Sequence, residues 1–430
     1  MPYRGPANPL RVVRAVDYYI IAQHSSYDQP YAARSGRAMS QPQHARRTRS
    51  DRCGPQPGHS MNQMPNLQSL PRASALLCLE VERFCLRQLA LPKGASLVLA
   101  VSGGADSTAL ALILSLLAPR LNLRLSALSV NHGLRPEADE DAAHALAVCH
   151  ALGMHCAVRA ADVRGFAASR HMGEEEAGRA VRYALLEEER VAQNAHFIAL
   201  GHHCQDLSED IVLRLVRGAG WPSLGGMPAR DDARCLLRPL LGCEPDDLRQ
   251  LLRQCGLGWR EDASNQSLDY RRNRLRLQTL PLLRAENPSL DRTLGHMWQL
   301  ANLDRDYWEK TLDEALAANP WQEMTNERQD GLPALAALTL PRALLRPLHP
   351  AARLRLYMRA LQHLCSSSKA VISTGAPALP PHSTSAQARA STLLALDEAL
   401  TQGRGNTRFQ LPGGIEAHLK GGGVTFTRAL

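Results

Sequence analysis

Nowhere in the 430 residues does an apolar run approach the roughly 18 to 20 residues that cross a bilayer. The nearest candidate, about ten residues around Ala109 to Ala118, is too short, so a soluble, cytoplasmic protein with no membrane partner is expected. Cysteine is present ten times but never as a Cys-x-x-Cys pair, which argues against a disulfide framework, a structural zinc or an iron–sulfur centre and for reduced thiols. Aromatic residues make up only 4%, too few for a platform on which single-stranded bases stack. Lysine is nearly missing, 4 residues against 46 arginines, a bias read as coding preference rather than guanidinium chemistry. The net charge of +9 is also absent from most of the chain: residues 1–72 carry ten arginines and three aspartates, leaving the rest with only +2. Bulk charge therefore supplies no phosphate footprint on the body, and any RNA contact there must come from local arginine clusters.

At this length and 44% apolar composition, two or three domains with sizeable cores are expected. Residues 1–72, rich in Arg, Ser, Pro, Gln and Gly, hold no sustained period and read as a disordered basic tail, or as sequence upstream of a later start at Met39, Met61 or Met64. From Leu76 strand and helix signals alternate about every 30 residues: strands at Leu97–Val101, Leu123–Val130, His155–Val158 and His196–Leu200, helices at Thr108–Ala118, Ala138–Leu152 and Glu174–Ala192. That alternation predicts an α/β fold, a doubly wound parallel sheet over residues 73–243. After Gly220 helical signals dominate, at Pro245–Cys255, Tyr270–Leu283, Leu290–Ala318 and Pro341–His363, giving a helical region over 244–365. Residues 366–386 read as a linker, and 387–430, with LPGG and GGG turns, as a small terminal α/β element.

SGGADS, Ser102–Ser107, ends the first expected strand and opens the first expected helix. In an open parallel sheet this is the ligand crevice, where backbone N–H groups favour an anion. Gly103 and Gly104 permit a tight turn and close approach, Ser102 and Ser107 add hydroxyls, and Asp106 suits a helix cap or a magnesium ion. An ordinary capped strand-to-helix turn fits the hexamer as well. No lysine follows the glycines as in G-x-x-x-x-G-K-[ST], and G-x-G-x-x-G does not fit either.

The loop resembles the SGGxDS loop of PP-loop pyrophosphatases, adenine-nucleotide α-hydrolase-like enzymes that cleave ATP between its α and β phosphates. Together with SVNHGLRPEADEDA (Ser129–Ala142), GHHCQDLSEDIVLRLVRGAGWPSLGGM (Gly201–Met227) and EDASNQSLDYRRNRLRLQTLPLL (Glu261–Leu283), it resembles the tRNA(Ile)-lysidine synthases over residues 95–285. The resemblance implies ATP-dependent adenylation of the wobble cytidine of isoleucine tRNA with a CAU anticodon, then displacement of AMP by the ε-amine of L-lysine. ATP and magnesium are the implied cofactors, and a homodimer is left open.

By that resemblance, Ser102, Gly103, Gly104, Ala105, Asp106, Ser107, His132 and Arg182 are expected at ATP, with Asp106 also at the metal, Arg179 a turn from Arg182, and Arg135 beside His132. Asp206 and Glu209 match the second aspartate and the glutamate of HxxDDxxET and are expected at lysine, with His203. On a helix starting near His203, His202, Asp206 and Glu209 would share one face. The pattern's first aspartate is Gln205 here and its threonine is Asp210, which stands one turn from Asp206 and could restore the charge. Arg271, Arg272, Arg274 and Arg276 would form a guanidinium face for tRNA phosphates. Two other readings stand beside this one: a tRNA thiolase, disfavoured by the missing Cys-x-x-Cys, and a tRNA-binding protein without catalysis, favoured by Gln205.

Overall fold

The computed structural model describes residues 66–133, 137–261, 268, 271–327, 333–367, 390–421 and 423–428. Most of the expected basic tail, and all but the first two residues of the expected linker, lie outside these residues. The last part of the tail forms a turn at Leu67–Ser69 closed by a reciprocal Asn66–Ser69 cap, and leads into helix α1 (Arg72–Arg87).

The alternation then unfolds as β1 (Ser96–Ala100), α2 (Ala105–Leu121), β2 (Arg124–Asn131), α3 (Ala138–Ala151), β3 (His155–Ala160), α4 (Val163–Arg170), α5 (Glu174–Ala192), β4 (Phe197–Ala199), α6 (Cys204–Val216), β5 (Arg230–Asp231), β6 (Leu236–Leu237) and α7 (Pro245–Gln254). The strands form one sheet in the order β3-β2-β1-β4-β6-β5, parallel throughout except for β5 at the edge. β1 is central and covered on both faces, which is why its sequence is a continuous apolar run and not an alternation. From β1 the chain winds to β2 and β3 on one side, then returns to β4 on the other. Order reverses between β1 and β4, and the crevice outside their carboxyl ends is where such sheets bind ligands. α2 is apolar almost all round because it is sandwiched between the sheet, α1 and α7.

Beyond α7 the chain forms α8 (Arg271–Arg274), a π-helical turn (Leu275–Thr279), α9 (Leu280–Glu286), α10 (Leu290–Ala318), β7 (Gln322–Glu327), β8 (Pro333–Pro341), α11 (Arg342–Leu345), α12 (Pro350–Ser367), α13 (Ala390–Thr401), β9 (Arg408–Leu411), β10 (Ile415–Lys420) and β11 (Gly423–Arg428). The helix expected over Tyr270–Leu283 runs helically from Arg271 to Glu286, with a π-helical turn at Leu275–Thr279 just ahead of Pro281, which has no N–H to give to the preceding turn. Among the described residues no helix is long and apolar enough to cross a membrane.

The structure departs from the sequence expectation in its last third. β7 and β8 join the three terminal strands in one antiparallel sheet, β7-β8-β11-β10-β9. Gly423 makes the β8–β11 contact possible: at φ +143 a Cβ there would collide with the Leu340 carbonyl oxygen. A separate core runs from Leu312 to Phe426, so residues expected in a helical region and in a terminal element share one interior. α7, placed by sequence in the helical region, instead buries Leu248, Leu251 and Leu252 in the first core. α10 joins the two cores, with Trp298 in the first and Leu312 in the second.

Candidate active site

The loop after β1 is braced from inside. Ser107 Oγ donates to the Gly104 carbonyl (3.0 Å) and accepts from the Ser102 N–H (3.1 Å), so this hydroxyl holds the turn rather than facing outward. Gly103 sits at φ +81, and a Cβ there would lie 3.0 Å from the Asp141 carbonyl oxygen; its own carbonyl accepts from the Arg260 N–H at 2.9 Å. α2 starts after Gly104 with no side-chain cap, leaving its first-turn N–H groups for an anion. The end of β4 presses on the loop from the other side, since a Cβ on Gly201 would lie 2.9 Å from the Asp106 carbonyl oxygen. Two residues at the switch point, Gly103 and Gly201, are thus glycine because backbone must approach backbone.

His203 caps α6. Its Nδ1 accepts from the Gln205 N–H (3.2 Å), which puts the ring proton on Nε2, 3.5 Å from both Asp106 Oδ2 and Asp206 Oδ2. Burial opposes protonation of this ring, but the Asp106 hydrogen bond and the charges of Asp206 and Asp106 outweigh it and raise the pKa. Asp206 completes the cap by accepting from the His203 N–H at 3.1 Å. One histidine therefore bridges the Ser102–Ser107 loop to the acidic helix.

Asp206 and Glu209 project from one face of α6, both buried, and each is gripped by two arginines. Arg272 reaches Glu209 at 2.7 Å and Asp206 at 2.8 Å; Arg276 reaches Asp206 at 3.3 Å and also donates to Glu209. Burial opposes ionisation of Asp206, yet the charges of His203 and Arg272 and the His203 N–H hold its carboxyl well below the usual range. Burial likewise opposes the charge on Arg272, and Asp206 and Glu209 reverse that and raise it.

This placement corrects the expected solvent-facing array of four arginines. Arg272 and Arg276 turn inward onto the carboxylates because two buried anions on α6 need counter-charge, while Arg271 and Arg274 stay on the exposed side. His202 does not share the face of Asp206 and Glu209 either. It precedes the first residue of α6 by two positions, so helical spacing does not apply, and its Nδ1 accepts from Arg238 Nε at 3.3 Å. Nor does Asp210 replace the missing aspartate: its carboxylate is held by Arg214 at 2.7 Å.

Arg182 Nη2 lies 3.4 Å from His132 Nε2, bringing α5 to the end of β2; Arg179 is held on Tyr183. His132 also borders a cavity of about 480 Å³ at the ends of β2 and β3, with Asn131, Asp139, Asp162 and Arg164. Arg135 lies outside the described residues. Among the described residues no three His, Cys, Asp or Glu side chains gather as metal ligands. Asp106 Oδ1, however, is buried with no hydrogen-bond partner, which fits a cation held by one carboxylate and substrate phosphates.

Sequence reasoning missed Arg238, Arg260 and Asp291. Asp291 opens α10, is held by Arg284, and accepts from the fully buried Ser208 hydroxyl at 2.6 Å, tying α6 to the helical region. Only the Arg-Pro-Leu-Leu run after a short apolar stretch could have pointed to Arg238; nothing local marks the other two.

Residues 79–283 match the family model of the PP-loop domain. The chain is 45% identical over 335 residues to the tRNA(Ile)-lysidine synthase of Nitratidesulfovibrio vulgaris strain Hildenborough, covering 77% of this chain and 91% of that one. It is 33% identical to the tRNA(Ile)-lysidine synthase of Geobacillus kaustophilus and 31% identical to that of Dehalococcoides mccartyi, over 65% and 68% of this chain, and spans 60% and 62% of their lengths.

Proposed function

The chain belongs to the tRNA(Ile)-lysidine synthase family, and from that premise we propose how its residues divide an ATP-dependent transfer of L-lysine to the wobble cytidine of isoleucine tRNA. The carbonyl oxygen at position two of cytosine attacks the α-phosphate of ATP, pyrophosphate leaves, and the lysine ε-amine then attacks the same carbon and expels AMP. The observation that carries the division is the His203 bridge: one imidazole joins the loop that suits phosphate to the helix whose carboxylates suit an ammonium group.

Residues 102–107 receive the phosphates through loop and first-turn N–H groups, with Arg182 and His132 across the crevice. Asp106 would hold magnesium through its partnerless Oδ1; the ion, when bound, neutralises charge on the leaving pyrophosphate. Asp206 and Glu209 hold the lysine α-ammonium, and the arginines that now pair with them keep both carboxylates aimed in its absence. Gln205 leaves one charge fewer than the family pattern, and the doubled arginine clamp on its neighbours fixes the remaining pair in place. Arg271 and Arg274, on the exposed side of α8, and the surface of α10 are the proposed tRNA contacts, with the CAU anticodon selected by the flipped base.

Labelled lysine incubated with the protein, ATP and unmodified isoleucine tRNA tests the reading. Incorporation at the wobble position with one AMP released per lysine is expected. Tight tRNA binding without incorporation or AMP release would replace the ligase with a non-catalytic tRNA binder.

A further inference from the structure

The link between Ser208 and Asp291 plays no part in the steps above. Ser208 is fully buried in α6, between Asp206 and Glu209 in the chain, at a position that HxxDDxxET leaves unspecified. Its hydroxyl has one proton and two acceptors in reach, the Asp291 carboxylate at 2.6 Å and the Cys204 carbonyl at 3.3 Å. The shorter, charge-assisted bond takes the proton. Asp291 is itself fixed twice over. It stands in the first turn of α10, where the helix dipole favours an acid, and both its oxygens accept from Arg284, at 2.8 and 3.0 Å. Because α10 is anchored in both cores, Asp291 is a rigid post against which α6 is held.

Other contacts also join α6 to residues 271–291. Val212, one turn along α6 from Ser208, shares a small apolar core with Leu275 and Leu280, which holds the helices together but has no directional preference. Arg272 and Arg276 do give direction, but through Asp206 and Glu209, the carboxylates that the lysine α-ammonium takes up. The Ser208 bond fixes the rotation of α6 without drawing on either carboxylate. A side-chain tip about 5–6 Å from a helix axis moves by roughly 1 Å when the helix turns by about 10°. A displacement of about 1 Å at a binding group can cost up to about 10²-fold in function.

We propose that Ser208, Asp291 and Arg284 form a latch that sets the rotation of α6 and so aims Asp206 and Glu209 at lysine, acting as positioning residues that touch no substrate. The proposal rests on the lysine-transfer reading above.

Its test uses the full chain and follows the lysine KM and kcat of incorporation, transfer of α-phosphate label from ATP to tRNA with lysine omitted, and the urea midpoint. Ser208→Ala, which removes only the hydroxyl, is expected to raise the lysine KM by about 10-fold while kcat and label transfer stay. Asp291→Ala is expected to raise it as well, and the double variant to be no worse than the more impaired single one, because both remove the same bond. Asp291→Asn keeps an acceptor for the Ser208 hydroxyl and recovers most of the loss. Ser208→Ala and Asp291→Asn suffice should Asp291→Ala not fold. A merely structural contact would instead lower the urea midpoint and let label transfer and incorporation fall together. That result, additive effects on the lysine KM, or a wild-type lysine KM in Ser208→Ala overturns the latch. Failure of the unsubstituted protein to incorporate lysine overturns the underlying reaction and the latch with it, whereas normal incorporation with an unmoved KM in Ser208→Ala overturns the latch alone.

Discussion

Replacing Arg272 with methionine separates two duties that one guanidinium could have. In the fold it spans Glu209 at 2.7 Å and Asp206 at 2.8 Å, with its side chain 30% exposed and that of Glu209 only 2%. Removing one partner of a buried pair typically costs about 3–5 kcal/mol because the other charge is left behind. Arg276 still touches both carboxylates after the substitution, so the lower end applies, about 3 kcal/mol, or roughly two orders of magnitude in the folding equilibrium. A guanidinium already neutralised by two carboxylates releases few counterions from tRNA, whereas each true phosphate contact adds about 0.7–0.9 to the slope of log affinity against log salt. Chemical denaturation and tRNA binding between about 50 and 200 mM salt measure both quantities. Arg272→Met is expected to lose stability and lysine transfer while keeping its salt slope. A slope reduced by about one contact, with stability intact, would refute the inward-facing role and restore the tRNA-binding one.

Other outcomes follow from the same geometry. Arg271→Met, on the exposed side of α8, is expected to lower the tRNA salt slope by about 0.7–0.9 with unfolding unchanged, read in the same binding titration. Asp106→Ala is expected to reduce AMP release by at least about 10²-fold without loss of tRNA affinity, since it removes the carboxylate whose Oδ1 has no protein partner; normal release would remove Asp106 from the site. Gly201→Ala drives a methyl to 2.9 Å from the Asp106 carbonyl and should cost about 1–3 kcal/mol in stability together with a weaker ATP KM, an effect absent if the loop can retreat freely. Asp206 has a folded pKa below its ordinary value, so its contribution to stability is present above about pH 4 and lost as pH falls through the folded value; the gap in urea midpoint between wild type and Asp206→Asn should therefore close on acidification, and a constant gap would contradict the ion pairing.

Among the described residues, the stretch from β1 to α6 was largely legible because its signals are local. β1 is an apolar run bounded by turn residues, α5 carries a clean helical period, and the Ser102–Ser107 loop lies within six consecutive residues. The last third was not, because Ala334–Leu340 is a short apolar run that fits a strand or a buried helix equally, and its partner, β11, is more than 80 residues away. In the site, Asp206 and Glu209 were readable from helical spacing, but their arginines were assigned to solvent, since sequence shows a cluster of charge without showing what faces it. His202 failed for a related reason: the helical period was extended two residues past the point where the helix begins.

The account stands most directly on where the nucleotide sits. A structure determined with an ATP analogue that resists cleavage between its α and β phosphates should place the phosphates against the backbone of Ser102–Ser107, with Asp106 within reach of the bound metal. An analogue lodged elsewhere, with that loop untouched, would contradict it.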